Sequence, residues 1–412
     1  MRRADGRTKD GAGHSERKEP DVSSTPPAVR GDLPALTGMR IIAALLVFLS
    51  HVIFPFTMGN HDPATPFADD GITQTLVWLF YPGGSIGVSF FFILSGFVIT
   101  WSAKPGDRIR AYYRRRVVKI MPNHVVTWAL AMLLFAGSYT ALWGLPNLLL
   151  LNPFTTDNGI WGGANMPAWS LSAEMLFYLL FPALIIPIRK IADNRLWLWA
   201  GVAVAGMAAV CLVTLTLVPD APKYPGEVLS LTQFWFVYLF PPVRLFEFVL
   251  GMILARIVIA GRWPRIGMLP VTALLVAAYA ATLYIPWPYS VSLVTAVPFA
   301  LAIGTFAKAN LDGRKTFFGT RPMVWLGQIS FGFYLTQSIV LYWLREAVLG
   351  QAEYGPVGGT LLIIALAGAT VVTGWLLYTL VERPAMKYWS KPRKPSVTQE
   401  TVEQPPVGAL SN

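Results

Sequence analysis

An arginine and a histidine stand eleven residues apart in one apolar run. Within residues 36–56, Arg40 and His51 are the only ionisable side chains. Eleven residues make almost three α-helical turns, which puts both side chains on one side of a helix, about 16 Å apart along its axis. A charged group at bilayer depth costs at least roughly 2.5–3.5 kcal/mol on the insertion scale, so such groups usually mark a functional path. Imidazole also gains and loses a proton near neutral pH. A helix with this pair on one face is expected to line a polar cavity.

Three further ionisable residues lie inside apolar runs: Glu174, Arg244 and Glu247. Arg244 and Glu247 are three apart, so on one helix they can neutralise each other as a structural pair. Arg114, Arg115 and Arg116 open another apolar run. Such a cluster is normally a topology signal and a lipid-headgroup contact. Its functional alternative is a clamp for a phosphorylated donor, since guanidinium binds phosphate bidentately. The other histidines are weaker candidates. His14 lies in the polar N-terminal stretch, His61 in a loop, and His124 follows Pro122 at a span end and reads as structural. The lone cysteine, Cys211, reads as a small packing residue. No CxxC, HExxH, Gly-rich phosphate loop or Gly-x-Ser-x-Gly elbow occurs, so no metal site is expected and ATP-driven chemistry lacks its usual groups.

The elements that must position these groups are membrane helices. Hydrophobic residues make up 54% of the 412 and charged residues only 13%, which excludes a soluble enzyme. The fold class is all-α, a polytopic bundle with about ten spans of roughly 20 residues. Their expected limits are 36–57, 83–102, 119–138, 168–188, 196–218, 233–259, 266–284, 287–306, 323–345 and 357–380. The sixth holds Pro241 and Pro242, so it is either one kinked helix or a short piece followed by a span. Residues 1–34 and 389–412 are polar and read as disordered cytosolic tails around a membrane domain of 35–388. The N-terminal tail has no apolar centre, unlike a signal peptide.

Lysine and arginine orient the bundle. With the N-terminus inside, the basic loops fall on the cytoplasmic side, and only Lys223 and Arg345 remain outside. Residues 137–168 carry neither lysine nor arginine. This asymmetry predicts an even span count with both termini cytoplasmic. It also explains the net charge of +11 without nucleic acid. On this topology Glu174 and His51 enter from the same outer face to similar depth, roughly 10 Å. A contact between them is therefore expected, with Glu174 orienting the imidazole as the acid of a hydrolase triad does. The alternative is that Glu174 bonds only to neighbours such as Trp169 or Ser172.

Seven strings extend the pattern. They are LTGMRIIAALLVFLSHV (36–52), GVSFFFILSGFVIT (87–100), YYRRRVVKIMP (112–122), PAWSLSAEMLFYLLFP (167–182), RLFEFVLGM (244–252), ISFGFYLTQSIV (329–340) and VERPAMK (381–387). Together and in this order they resemble acyltransferase family 3, bacterial membrane O-acyltransferases of surface polysaccharides, lipid-linked sugars and macrolides. The likeness covers residues 33–388. It implies ten spans and an Arg-x10-His signature on Arg40 and His51, with His51 as general base for the acceptor hydroxyl. It also implies a donor-side role for Arg114, Arg115 and Arg116, and a functional Glu174. The family's ninth span often reads Tyr-Leu-x-His, whereas here Tyr334, Leu335 and Thr336 lead to Gln337. Glutamine hydrogen-bonds but does not titrate. The chain also ends soon after the tenth span, without the extracytoplasmic hydrolase-like domain of some relatives.

The resulting expectation is a multi-pass cell-membrane O-acyltransferase. It would move an acyl group from acyl-CoA, a co-substrate rather than a bound cofactor, to a hydroxyl of a sugar, glycolipid or polyketide. His51, Arg40 and Glu174 would be catalytic, and Arg244, Glu247, Tyr334 and Gln337 would shape the pocket. The rival is a proton-coupled transporter or flippase using the same charges. It is disfavoured because the two halves show no internal repeat.

Overall fold

The computed structural model describes residues 31–54, 64–104, 106–135, 140–223 and 229–390. His14, His61 and nearly all of both expected tails lie outside them. The chain divides into Met1–Gly31 and Asp32–Asn412, and every element below belongs to the second unit. In chain order these are α1 Pro34–Ile53, α2 Asp70–Ser102, α3 Ile109–Leu134, α4 Ala141–Leu148, α5 Asn158–Trp161, α6 Ala168–Lys190 and α7 Leu196–Leu217. They continue with α8 Leu231–Phe234, α9 Leu245–Ile259, α10 Met268–Thr282, α11 Leu293–Leu311, α12 Arg321–Ser338, α13 Pro356–Leu377 and α14 Arg383–Trp389. Among the described residues the β contacts are two isolated bridges, Phe67 with Tyr354 and Lys223 with Ser230. The protein is an all-α membrane bundle, and among the described residues eight helical segments are long and apolar enough to cross a bilayer.

Several elements depart from the expected limits: α3 starts at Ile109 rather than 119, α11 runs Leu293–Leu311 rather than 287–306, and α2 and the sixth run differ most. α2 runs for 33 residues, about 50 Å, and starts at Asp70 rather than near residue 83. Its first turn is capped by Asp69, whose side chain accepts from the Ile72 N–H at 2.9 Å. The run LVWLFY then continues the helix without a break. The sixth apolar run is not one kinked helix. It holds the four-residue α8, a π-helical turn at Trp235–Leu239, a 3₁₀ turn at Pro241–Arg244 and then α9. Neither Pro241 nor Pro242 can donate a backbone hydrogen bond, so the helix restarts beyond them. α9 and α10 are 15 residues each, about 22 Å, shorter than a bilayer core.

α2 is the centre of the bundle. Of its apolar window 83% is buried, against 22% for α13, which presents its side chains outward. α2 packs between α1 and α9, and α1 packs on its other side against α12. Close approach is what makes this possible. A Cβ on Gly96 would collide with the Phe248 carbonyl of α9, and one on Gly251 would collide with the Ile93 carbonyl of α2. The two glycines therefore interlock the helices backbone to backbone, as small residues do where lipid supplies no hydrophobic drive. Gly96→Ala is expected to destabilise the detergent-solubilised protein by about 1–3 kcal/mol, seen as a lower thermal midpoint. Gly201→Ala, whose added Cβ meets nothing within 4 Å, is expected to leave the midpoint unchanged.

Candidate active site

α1 starts with proline at its first position and buries most of its apolar face in the bundle. Arg40 and His51 are only partly buried, and each borders a cavity. The cavities are two, not the single one expected from the spacing. Arg40 lines a basic cavity of about 180 Å³. His51 lines a second, of about 490 Å³, towards the other end of the helix. A third, of about 580 Å³, sits at the arginine-rich start of α3.

In the basic cavity, Arg40 faces Arg116 and Lys119 from α3 and Glu174 from α6. Glu174 accepts a hydrogen bond from the Tyr178 hydroxyl at 3.3 Å, and Ser95 donates to the same hydroxyl at 3.2 Å. The cations acting on Glu174 are Arg40, Lys119 and Arg116. Glu174 therefore shares a cavity with Arg40, and the expected contact with His51 is replaced. The depth argument placed both groups near one face, but helices of different tilt and start do not keep a common level. Lys119 pairs with Glu382, a buried carboxylate that also accepts from the Asn123 amide at 2.9 Å. Three cations thus stand against two carboxylates, Glu174 and Glu382, leaving one positive charge in excess. Sequence reasoning gave Lys119 and Glu382 no role, because both sit at the edges of apolar runs. The signal for Glu382 lay in the VERPAMK string.

The three arginines do not act as one cluster. Arg116 borders both the basic cavity and the third cavity, with its guanidinium 5.8 Å from the Tyr178 ring centre. Arg115 lines the third cavity and pairs with Asp107. Arg114 borders none of the three cavities. At 100° per residue, consecutive side chains on α3 must point in different directions. His124 tethers α4, its Nε2 lying 3.0 Å from the Asn147 carbonyl and 3.2 Å from that of Leu148.

The histidine cavity is walled by aromatic rings. Phe234 stacks on Trp287 at 5.4 Å, Tyr238 meets the same ring edge-on at 5.7 Å, and Trp161 lies 5.9 Å from Phe234. Asn158, Ser50 and Ser85 add polar groups, and Lys223 stands at its border. Gln337 of α12 is buried; its Nε2 donates to the Tyr334 carbonyl at 3.0 Å, and its Oε1 has no hydrogen-bond partner among the described residues.

Adjacent residues of α6 form a septum between the two cavities. Trp169 faces the histidine cavity and the next residue, Ser170, faces the basic one. Ser170 and Tyr334 join hydroxyls at 2.8 Å, and both point at the Pro167 carbonyl, at 3.0 and 3.3 Å. Trp169 packs 4.7 Å from Tyr238 and 6.3 Å from Phe92. Arg244 lies behind these rings, 5.3 Å from Phe92 and 5.4 Å from Tyr238. It is ion-paired to Glu247 at 2.8 Å and donates to Ser89 at 2.9 Å. That pair braces the septum from inside the protein and lines none of the three cavities.

Comparison with known proteins finds acyltransferases. A family model described as an acyltransferase domain matches residues 33–379. The chain is 36% identical over 378 residues to the acyltransferase MdmB of Streptomyces mycarofaciens, covering 89% of this chain and 94% of that protein. It is 22% identical over 399 residues to the peptidoglycan O-acetyltransferase OatA of Listeria monocytogenes, covering 86% of this chain and 56% of OatA. A putative peptidoglycan O-acetyltransferase of Bacillus subtilis, YrhL, is also 22% identical, with 54% of its length covered. No solved structure matches.

The Lys119–Glu382 pair generates a stability prediction. Glu382→Ala leaves the ammonium without its carboxylate. Because Lys119 keeps 31% side-chain exposure, the loss is less than for a fully buried pair, about 2 kcal/mol. It is expected as a lowered thermal midpoint in detergent, and Lys119→Met together with Glu382→Leu is expected to recover part of it.

Proposed function

The chain belongs to this acyltransferase family, and from that premise we propose that it carries an acyl group from a cytosolic acyl-CoA to a hydroxyl of a sugar, glycolipid or macrolide-type acceptor. The observation that carries the reading is the placement of a basic cavity and an imidazole cavity along one helix, with the adjacent residues Trp169 and Ser170 lining one each. In this reading the arginine-rich end faces the cytosol. The third cavity receives the donor's phosphates beside Arg115 and Arg116, and Arg116 stands where that cavity joins the basic one. Arg40, Arg116 and Lys119 hold anionic charge by guanidinium and ammonium contacts. Glu174, bonded to Tyr178, keeps the guanidiniums oriented rather than supporting His51.

The acceptor occupies the aromatic-walled cavity. His51 takes the proton of its hydroxyl as the oxygen attacks the thioester carbonyl. The new C–O bond forms, the C–S bond breaks, and the departing thiolate takes the proton from the imidazolium. The thioester reaches His51 by parting the Ser170–Tyr334 hydrogen bond and displacing Trp169. The thiolate is already a tolerable leaving group, so the step needs no metal.

Two measurements test this reading. Membranes carrying wild type or His51→Ala are supplied with labelled acetyl-, propionyl- and isovaleryl-CoA, and products are identified by mass. His51→Ala is expected to lose transfer by about 10²–10⁴-fold. Equal transfer by both would reject the base assignment. For the donor side, Arg116→Ala is expected to raise the half-saturating acyl-CoA concentration by about 10-fold or more, as for loss of a charge-assisted contact. Arg114→Ala is expected to change it less than about 2-fold, since most substitutions away from a site act within ±0.5 kcal/mol.

A further inference from the structure

We propose that Lys104 and Arg189 bind a second phosphate group of the donor, the monoester on the ribose of coenzyme A, at the exposed rim of the third cavity. The inference rests on the reading of acyl-CoA as donor. Lys104, Asp107, Arg115, Arg116 and Arg189 are the charged side chains that border this cavity, four cations against one carboxylate. Arg115 is paired with Asp107. Arg116 stands against the Tyr178 ring, where the cavity meets the basic one. Lys104 and Arg189 have neither an ion pair nor a side-chain hydrogen bond among the described residues. Both are exposed, and they come from different elements. Lys104 lies two residues beyond α2, and Arg189 lies in the last turn of α6. Two like charges at one cavity repel, and an anion bound between them turns that repulsion into attraction.

Order along the path decides which phosphate they meet. Ile99 and Arg116 line both the third cavity and the basic one, so the two spaces adjoin. A donor whose thioester points inward leaves its nucleotide at the exposed end. Coenzyme A carries its negative charge in two places, a diphosphate beside the pantetheine arm and a monoester on the ribose farther out. Arg116, at the junction, meets the diphosphate. Lys104 and Arg189, at the exposed helix ends, meet the monoester, whose charge of about −1.5 to −2 at neutral pH matches two cations. Guanidinium and ammonium both form charge-assisted hydrogen bonds to phosphate oxygens. Tyr112 and Phe181 line the same cavity, with ring centres 5.2 Å apart and planes 25° from parallel. They set a flat aromatic surface beside the cations. A nucleotide, with a base next to its phosphates, matches that combination, whereas a lipid headgroup carries no ring to stack.

The test is a binding measurement, which needs no acceptor. The full-length protein is purified into phosphatidylcholine nanodiscs, and dissociation constants for CoA and 3′-dephospho-CoA are measured by calorimetry. Wild type is expected to bind CoA about 10-fold more tightly, the scale of a charge-assisted hydrogen bond. Lys104→Met combined with Arg189→Met is expected to bind the two ligands within about 2-fold of each other. Arg116→Ala is expected to weaken both ligands and keep the preference between them. Where the double variant does not fold, Arg189→Gln alone is expected to lower the preference. Equal affinities in wild type would overturn the proposal and leave the acyl-CoA reading intact. A full preference retained by the double variant would overturn the assignment to these two residues. No CoA binding by wild type would overturn the acyl-CoA reading, and this proposal with it. Basic residues at a cytosolic face also meet anionic headgroups, and discs with added phosphatidylglycerol separate that source. If this lipid raises the thermal midpoint of wild type and not of the double variant, while both bind CoA equally, the two cations hold a headgroup and the proposal falls.

Discussion

An ionisable side chain on an apolar helix cannot be left against lipid. Its hydration must be replaced by water or by polar neighbours. α1 carries two such side chains at different depths, and the bundle leaves a cavity against each. The rest of the architecture follows from keeping those two spaces open and separate. Around Arg40 the replacement is ionic, with Glu174, Lys119 and Arg116 sharing charge. Around His51 it is an aromatic-walled cavity to which Ser50, Ser85 and Asn158 add polar groups.

Separation depends on how tightly the central helix is gripped. α2 supplies Phe92 to the septum, and its position is set by glycine contacts that bring its backbone against α9. From α9's start, Arg244 reaches back to the Phe92 and Tyr238 rings and is neutralised by Glu247. A buried pair of this kind contributes little net stability, because desolvation offsets attraction. What it does supply is geometry. Two fixed charges in a dry core hold the aromatic layer at one place along the helix axis, and cavities of opposite character then lie on either side of it.

Much of this was legible before any coordinates. Low charge and long apolar runs specify membrane helices, because backbone polar groups in lipid must be satisfied within the segment. The spacing of Arg40 and His51 specifies a common side of α1. The three-residue spacing of Arg244 and Glu247 specifies their pairing. Other features were not legible. The partnership of Lys119 with Glu382 joins residues 263 apart, and no periodicity links α3 to the turn between α13 and α14. Residues 70–82 fell outside the expected span 83–102, where Thr73, Gln74, Thr75 and Pro82 interrupt the apolar run, yet they extend α2.

By itself the sequence determined which side chains must be kept polar inside the membrane and on which helices they stand, since both follow from composition and from the 3.6-residue period. Only the tertiary structure decided what those side chains face. Glu174 was matched to His51 by depth and proved to stand with Arg40. The run of three arginines separated into one that enters the basic cavity, one that pairs with Asp107 and one that borders neither site. Gln337 stands where the family resemblance led to the expectation of a histidine, and it is buried with its amide donating to the Tyr334 carbonyl. Depth and spacing constrain a single helix, whereas the rotation and tilt that bring two helices together arise from packing between residues far apart in the chain.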